Sequence, residues 1–133
     1  MITNLKDLRI IAKIPVFSGI AYQTTKYKKS KYLGDPINIC NILSDQLCQE
    51  IILVFPENPP DINHLKSILA VSRSPISIGG YGSNINTIQM VIKSGAEKII
   101  LSDTFWINPD LIEFLIFRLI NLSSTPSSFN FNA

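Results

Sequence analysis

Along the chain, short continuous apolar runs alternate with stretches whose apolar residues recur every three or four positions. Arg9 to Val16 (RIIAKIPV), Ile51 to Phe55 (IILVF), Pro75 to Ile78 (PISI) and Lys98 to Leu101 (KIIL) read as buried strands. Between the first two, Ile37, Ile39, Cys40, Leu43, Leu47 and Cys48 keep mostly helical spacing. Asp35-Pro36 opens that helix as N-cap and first helical residue. Pro60 and Asp61 open a second helix striped by Ile62, Leu65, Ile68, Leu69 and Val71. A third carries Ile85, Ile88, Val91 and Ile92, and Gly95 closes it. Asn108-Pro109-Asp110 starts a fourth, LIEFLIFRLI.

The strands are continuous apolar runs rather than alternating ones, and the later three start about 25 residues apart, one strand-plus-helix unit each. That pattern predicts a parallel sheet covered by helices. The longer first interval, Phe17 to Gly34, has room for a β-hairpin around Ala21 to Lys28, at the strand end where barrel enzymes place function. The fourth helix is apolar nearly all round, so both its faces want cover. After Leu122 the sequence turns to SSTPSSFNFNA, a disordered polar tail over 123–133. A full barrel takes about 250 residues. The expectation is therefore an α/β chain forming half of a TIM (β/α)8 barrel over residues 1–122: four parallel strands with flanking helices.

Composition narrows the chemistry. Hydrophobic residues make up 46% and charged ones 17%, which excludes disorder over most of the length. A net charge of +2 is too small to imply nucleic acid or an acidic membrane as partner, and no run reaches the roughly 20 apolar residues of a membrane helix. Lys26, Lys28, Lys29 and Lys31 cluster, but without a stacking aromatic pattern or zinc spacing they read as a solvated loop. Asp7, Arg9 and Lys13 break the N-terminal apolar run, so it does not read as a secretory signal. Cys40 and Cys48 fall on one helix face about 12 Å apart at 1.5 Å per residue, too far to pair. Free buried thiols point to a reducing cytoplasm. His64, the only histidine, stands beside no Cys, Ser or Asp constellation, which leaves no metal site, no cofactor and no histidine-based triad in prospect.

One ordered set of residues carries a family resemblance: Arg9-Ile10-Ile11, Lys31-Tyr32-Leu33-Gly34-Asp35-Pro36-Ile37-Asn38, Ile78-Gly79-Gly80, Gly95-Ala96-Glu97-Lys98 and Asn108-Pro109-Asp110-Leu111-Ile112. It resembles the N-terminal half of the cyclase subunit of imidazole glycerol phosphate synthase, a lyase of histidine biosynthesis. The KYLGDPIN segment looks closest to the accessory cyclase-like subunits found with surface-glycan amidino-sugar genes. The resemblance implies a ribulose-phosphate-binding type of barrel. It also implies a glutaminase subunit docked on the N-terminal face, whose ammonia crosses the barrel to the other face.

The family's catalytic pair is an Asp ending strand one and another ending strand five. Pro15 stands at the first position, and the second lies beyond the four units. Each such group contributes about 10²–10⁴-fold, so the family reaction is not expected of this chain alone. The first-loop lysine falls on Gln23 and a strand-two carboxylate on Phe55. The phosphate-binding positions match Gly79, Gly80 and Ser102, with Tyr81 in place of a further glycine. Asp103, beside Ser102, would oppose a phosphate by about 4 kcal/mol at 4 Å in a dielectric of 20. Glycines that merely close a turn are the alternative. The ring of charges gating the ammonia entrance matches Arg9, Glu50 and Lys98, and Glu97 matches an acidic residue that meets the glutaminase. Charges that simply cap buried strands are the alternative there.

Three functions follow: a catalytically reduced subunit that docks a glutaminase and helps pass ammonia, a non-catalytic remnant or interaction module, or a phosphate-binding barrel enzyme of another kind. An isolated half barrel would expose two sheet edges and an apolar inner face. Self-association or a complementary half barrel would cover them.

Overall fold

The computed structural model describes residues 8–26, 28–46, 48–80 and 85–101, with Asp110, Glu113 and Phe117. Within these, β1 (Ile11–Phe17), β4 (Glu50–Val54), β5 (Ile76–Gly79) and β6 (Lys98–Ile100) pair in parallel. A hairpin of β2 (Ile20–Thr25) and β3 (Lys28–Gly34) joins antiparallel to β1, giving the order β3-β2-β1-β4-β5-β6. The hairpin fills the long first interval, as its length predicts. Ser18 and Gly19 make the β1–β2 turn with φ of 50° and 79°, the pair of positive values that a tight two-residue hairpin turn requires.

Helices α1 (Pro36–Asp45), α2 (Ile62–Val71) and α3 (Ile85–Lys93) connect the parallel strands. Asp35 caps α1 by accepting from the Ile37 N–H at 2.9 Å, and Asp61 caps α2 by accepting from the His64 N–H at 3.0 Å. Gly95, at φ 104°, turns the chain out of α3 toward β6.

All three helices pack on one face of the sheet. The core joins Ile14 and Val16, Ile51, Leu53 and Phe55, and Ile76 and Ile78 to Cys40, Leu65, Ile68 and Val91 of the helices. Those strand residues share one side of the pleat, since side chains alternate along a strand. Arg9, Ile11, Lys13, Pro15, Glu50, Ile52, Val54, Ser77, Gly79, Lys98 and Ile100 share the other, as the register Ile11↔Glu50, Ile52↔Ser77 and Ser77↔Lys98 requires. Ile11 and Ile100 there are 47% and 40% exposed, against 0% for Ile51 and Leu53. An α/β sheet wrapped on one side only is compatible with part of a (β/α)8 barrel, whose strands turn their second face inward.

One expectation is corrected. α1 ends at Asp45, with Gln46 leaving helical geometry, so Cys48 is not on the helix that carries Cys40. Both thiols are nevertheless buried and free, and the Cys48 thiol donates to the Glu50 carbonyl at 3.0 Å. Burial first, and then the neighbouring Cys48, push the Cys40 thiol up to about 12, which leaves it protonated and unreactive at neutral pH. The fourth helix lies outside the described residues apart from Asp110, Glu113 and Phe117, which are helical. The 123–133 tail lies wholly outside them. No helix among the described residues is long and apolar enough to cross a membrane.

Candidate functional site: a charge cluster at the strand starts

β4 begins on Glu50 and β6 on Lys98, Arg9 lies two residues before β1, and parallel pairing aligns these three starts at one end of the sheet. The side chains meet on the uncovered face. Lys98 Nζ is 3.3 Å from Glu50 Oε1, and Arg9 Nη2 is 3.4 Å from Glu50 Oε2. Glu50 is buried at 6% exposure, whereas the Arg9 and Lys98 side chains are mostly exposed. A carboxylate removed from water needs donors for its lone pairs. One comes from Ser77, fully buried on β5, whose hydroxyl donates to Glu50 Oε1 at 2.8 Å. The Ser77 hydrogen bond foremost, then Lys98 and Arg9, hold the Glu50 carboxyl below its ordinary range, against the opposing effect of burial.

Ser77 escaped the sequence reading. A serine inside PISI looks like a tolerated polar residue in a short strand, and only the β4–β5 register puts it beside Glu50. Glu97 stands apart: it is exposed, its backbone N–H donates to the Ile76 carbonyl at 2.8 Å, and among the described residues its side chain joins no ion pair.

At the other end of the strands Pro15 is half-buried near the end of β1 and pairs with Val54 in register. Gly79 ends β5 and Gly80 follows at φ 115°. A Cβ on Gly80 would lie 2.4 Å from the Phe55 carbonyl oxygen, so the bend against β4 itself demands glycine. Ser102, Asp103, Tyr81 and Gly82 lie outside the described residues.

The hairpin and His64 depart from expectation. Of the lysine cluster, Lys28, Lys29 and Lys31 lie on β3 and Lys26 in the turn before it, and rings do interleave with it. Lys29 Nζ sits 5.1 Å from the Tyr22 ring centroid and 5.5 Å from that of Phe17. Tyr22 also meets Phe17 and Tyr32 edge-on at 5.8 and 5.9 Å. These aromatics are scattered in sequence, and hairpin pairing gathers them. His64 does have an acidic neighbour: its Nε2 is 4.0 Å from Asp35 Oδ1, linking the starts of α1 and α2. No group of three or more metal-ligating side chains occurs among the described residues.

The chain is 30% identical over 102 residues to the imidazole glycerol phosphate synthase subunit hisF3 of Vibrio vulnificus, covering 73% of this chain and 39% of that protein. With the HisF subunit of Leptospira interrogans it shares 28% over 120 residues, 86% of this chain and 47% of that one. This chain is similar to HisF subunits. The HisF of Thermococcus onnurineus, 27% identical over 109 residues, covers 78% of this chain and 43% of its own. The chain thus spans less than half the length of these HisF relatives. No family model matches it.

Proposed function

We propose that this chain is a HisF-like subunit that docks a glutaminase at its strand-start face and helps pass ammonia inward, without the cyclase's own acid–base chemistry. The Arg9–Glu50–Lys98 cluster is the observation that carries this reading. Three charges distant in sequence converge on one buried carboxylate at the end of the sheet where the resemblance puts the ammonia entrance. Held ionised by Ser77 and Lys98, Glu50 can close a polar gap by ion pairing and open it by releasing Lys98, whose long stem reaches in from a mostly exposed position. Exposed Glu97 is the contact offered to the partner.

Chemistry is the part given up. Pro15 has no proton to move, so the first acid–base position of the cyclase is empty of function. The half-barrel domain is assigned to 1–122, and its half-exposed inner face, with Ile11 and Ile100, is covered by a second copy or a complementary half barrel that rebuilds eight strands. Gly79, Gly80 and Ser102 remain a phosphate-binding position in this reading, served by backbone N–H groups at the strand ends. The acceptor of the ammonia is a surface-glycan sugar precursor, following the KYLGDPIN likeness.

The test is co-purification with the glutaminase subunit of an imidazole glycerol phosphate synthase, using Lys98→Ala as the control. Retention by the wild-type chain and loss with Lys98→Ala is the expected result. Equal retention, or none with either, leaves the chain an interaction module of another kind. A monodisperse monomer in sedimentation would remove the rebuilt barrel.

A further inference from the structure

The three charges at the strand starts are not held alike. Glu50 and Lys98 open β4 and β6, and the parallel ladder fixes their backbones, Glu50 opposite Ile11 and Lys98 opposite Ser77. Arg9 lies outside that ladder, because β1 begins two residues later, at Ile11. Its neighbours give little anchorage: Leu8 and Ile10 are 50% and 51% exposed. An ion pair with a mostly exposed arginine is worth too little to hold such a segment by itself.

Gln49, the residue before β4, holds it instead. Its backbone N–H donates to the Ile10 carbonyl at 2.9 Å. Its side chain adds two bonds to the same stretch. Oε1 accepts from the Ile10 N–H at 2.5 Å, and Nε2 donates to the Leu8 carbonyl at 3.3 Å. A primary amide joins an acceptor to donors in one plane, the pair that a backbone residue of a neighbouring strand would offer. A carboxylate could only accept here, and an ammonium could only donate. The Gln49 side chain thus stands in for one more residue of β4 and carries the pairing back past Ile11. The two residues it grips flank Arg9. With both fixed, the direction in which the Arg9 side chain leaves the backbone between them is fixed too.

We propose that Gln49 is a positioning residue of the charge cluster: its side-chain amide sets the backbone from Leu8 to Ile10 and so directs Arg9 onto Glu50. The inference rests on the geometry of the cluster and needs no glutaminase, so it stands or falls apart from the docking reading. Within that reading, Arg9 is the fixed arm and Lys98 the one that moves.

The experiment is NMR on the full chain with two variants. Gln49→Met keeps the length of the side chain and removes both of its bonds, while Gln49→Glu keeps only the acceptor. Amide hydrogen exchange is read at Ile10, and the Glu50 carboxyl is titrated through its ¹³C shift. Gln49→Met is expected to speed exchange at Ile10 about fivefold or more, the worth of one ordinary hydrogen bond, with Ile51 and Leu53 unchanged. Gln49→Glu restores wild-type exchange there. In Gln49→Met the Glu50 midpoint moves upward toward its ordinary value, since Ser77 foremost, then Lys98 and Arg9, hold it down. In an Arg9→Met background the same substitution moves the midpoint no further. Unchanged exchange at Ile10 in Gln49→Met overturns the proposal. So does a Glu50 midpoint that Gln49→Met leaves alone, or one it moves equally with and without Arg9, which would make Gln49 a brace of the chain and nothing more.

Discussion

Glu50, at the start of the parallel strands, is buried with a hydroxyl and two cations on its oxygens, while Lys13, two pleats up the same face of β1, has no acidic partner among the described residues. Beyond Lys13 comes Pro15, where the family resemblance implies an acid. Among the described residues, the strand-start end therefore has its charges answered within the chain, while Lys13 further along β1 joins no ion pair. The contrast teaches that charges on one face of one sheet meet different requirements: those at the strand starts converge on a buried carboxylate, and Lys13 further along does not.

The strongest way to break the contrast lies at the strand ends. Gly80→Ala drives a Cβ into the Phe55 backbone at a φ of 115° and costs about 3 kcal/mol or more, read as a lowered denaturation midpoint. Gly79→Ala, whose Cβ would meet Ile100 Cβ at an ordinary 3.4 Å, costs well under ~1 kcal/mol. Equal effects would show that the turn does not hold its glycine for steric reasons, and would return Gly80 to phosphate binding alone.

The next effect sharpens the strand-start end. A carboxyl held below its ordinary value stabilises the fold fully above that value, 4.5, and loses its contribution as pH falls through the lower folded value. Ser77→Ala removes the largest cause of the lowering, so the acid limb of melting temperature against pH moves upward toward 4.5. An unmoved limb would mean that Lys98 and Arg9 alone set the state of Glu50. Smaller still is Lys98→Ala at neutral pH. With a mostly exposed lysine, stability changes no more than for an ordinary surface substitution, although partner binding is lost.

Much of the scaffold was legible because apolar runs and caps are local signals. The four parallel strands, the Asp35 and Asp61 caps and the room for a hairpin could all be read from residue order. Arg9, Glu50 and Lys98 were reachable because their place at strand starts fixes which end of a parallel sheet they share. What stayed hidden depends on register and folding back. Ser77 meets Glu50 only through the β4–β5 pairing, and Lys29 meets Tyr22 and Phe17 only through the hairpin. Cys48 was misassigned because apolar spacing continues past Asp45 although the helix does not.

Docking at the strand starts is tested most directly by the affinity of the chain for a HisF-type glutaminase subunit, measured by calorimetry for two charge reversals. Glu97→Lys changes an exposed residue at the strand starts that joins no ion pair among the described residues, and Lys31→Glu changes an exposed one on the hairpin. The predicted result is a loss of at least about tenfold for Glu97→Lys and wild-type affinity for Lys31→Glu. Wild-type affinity for Glu97→Lys, or an equal loss for Lys31→Glu, would contradict it.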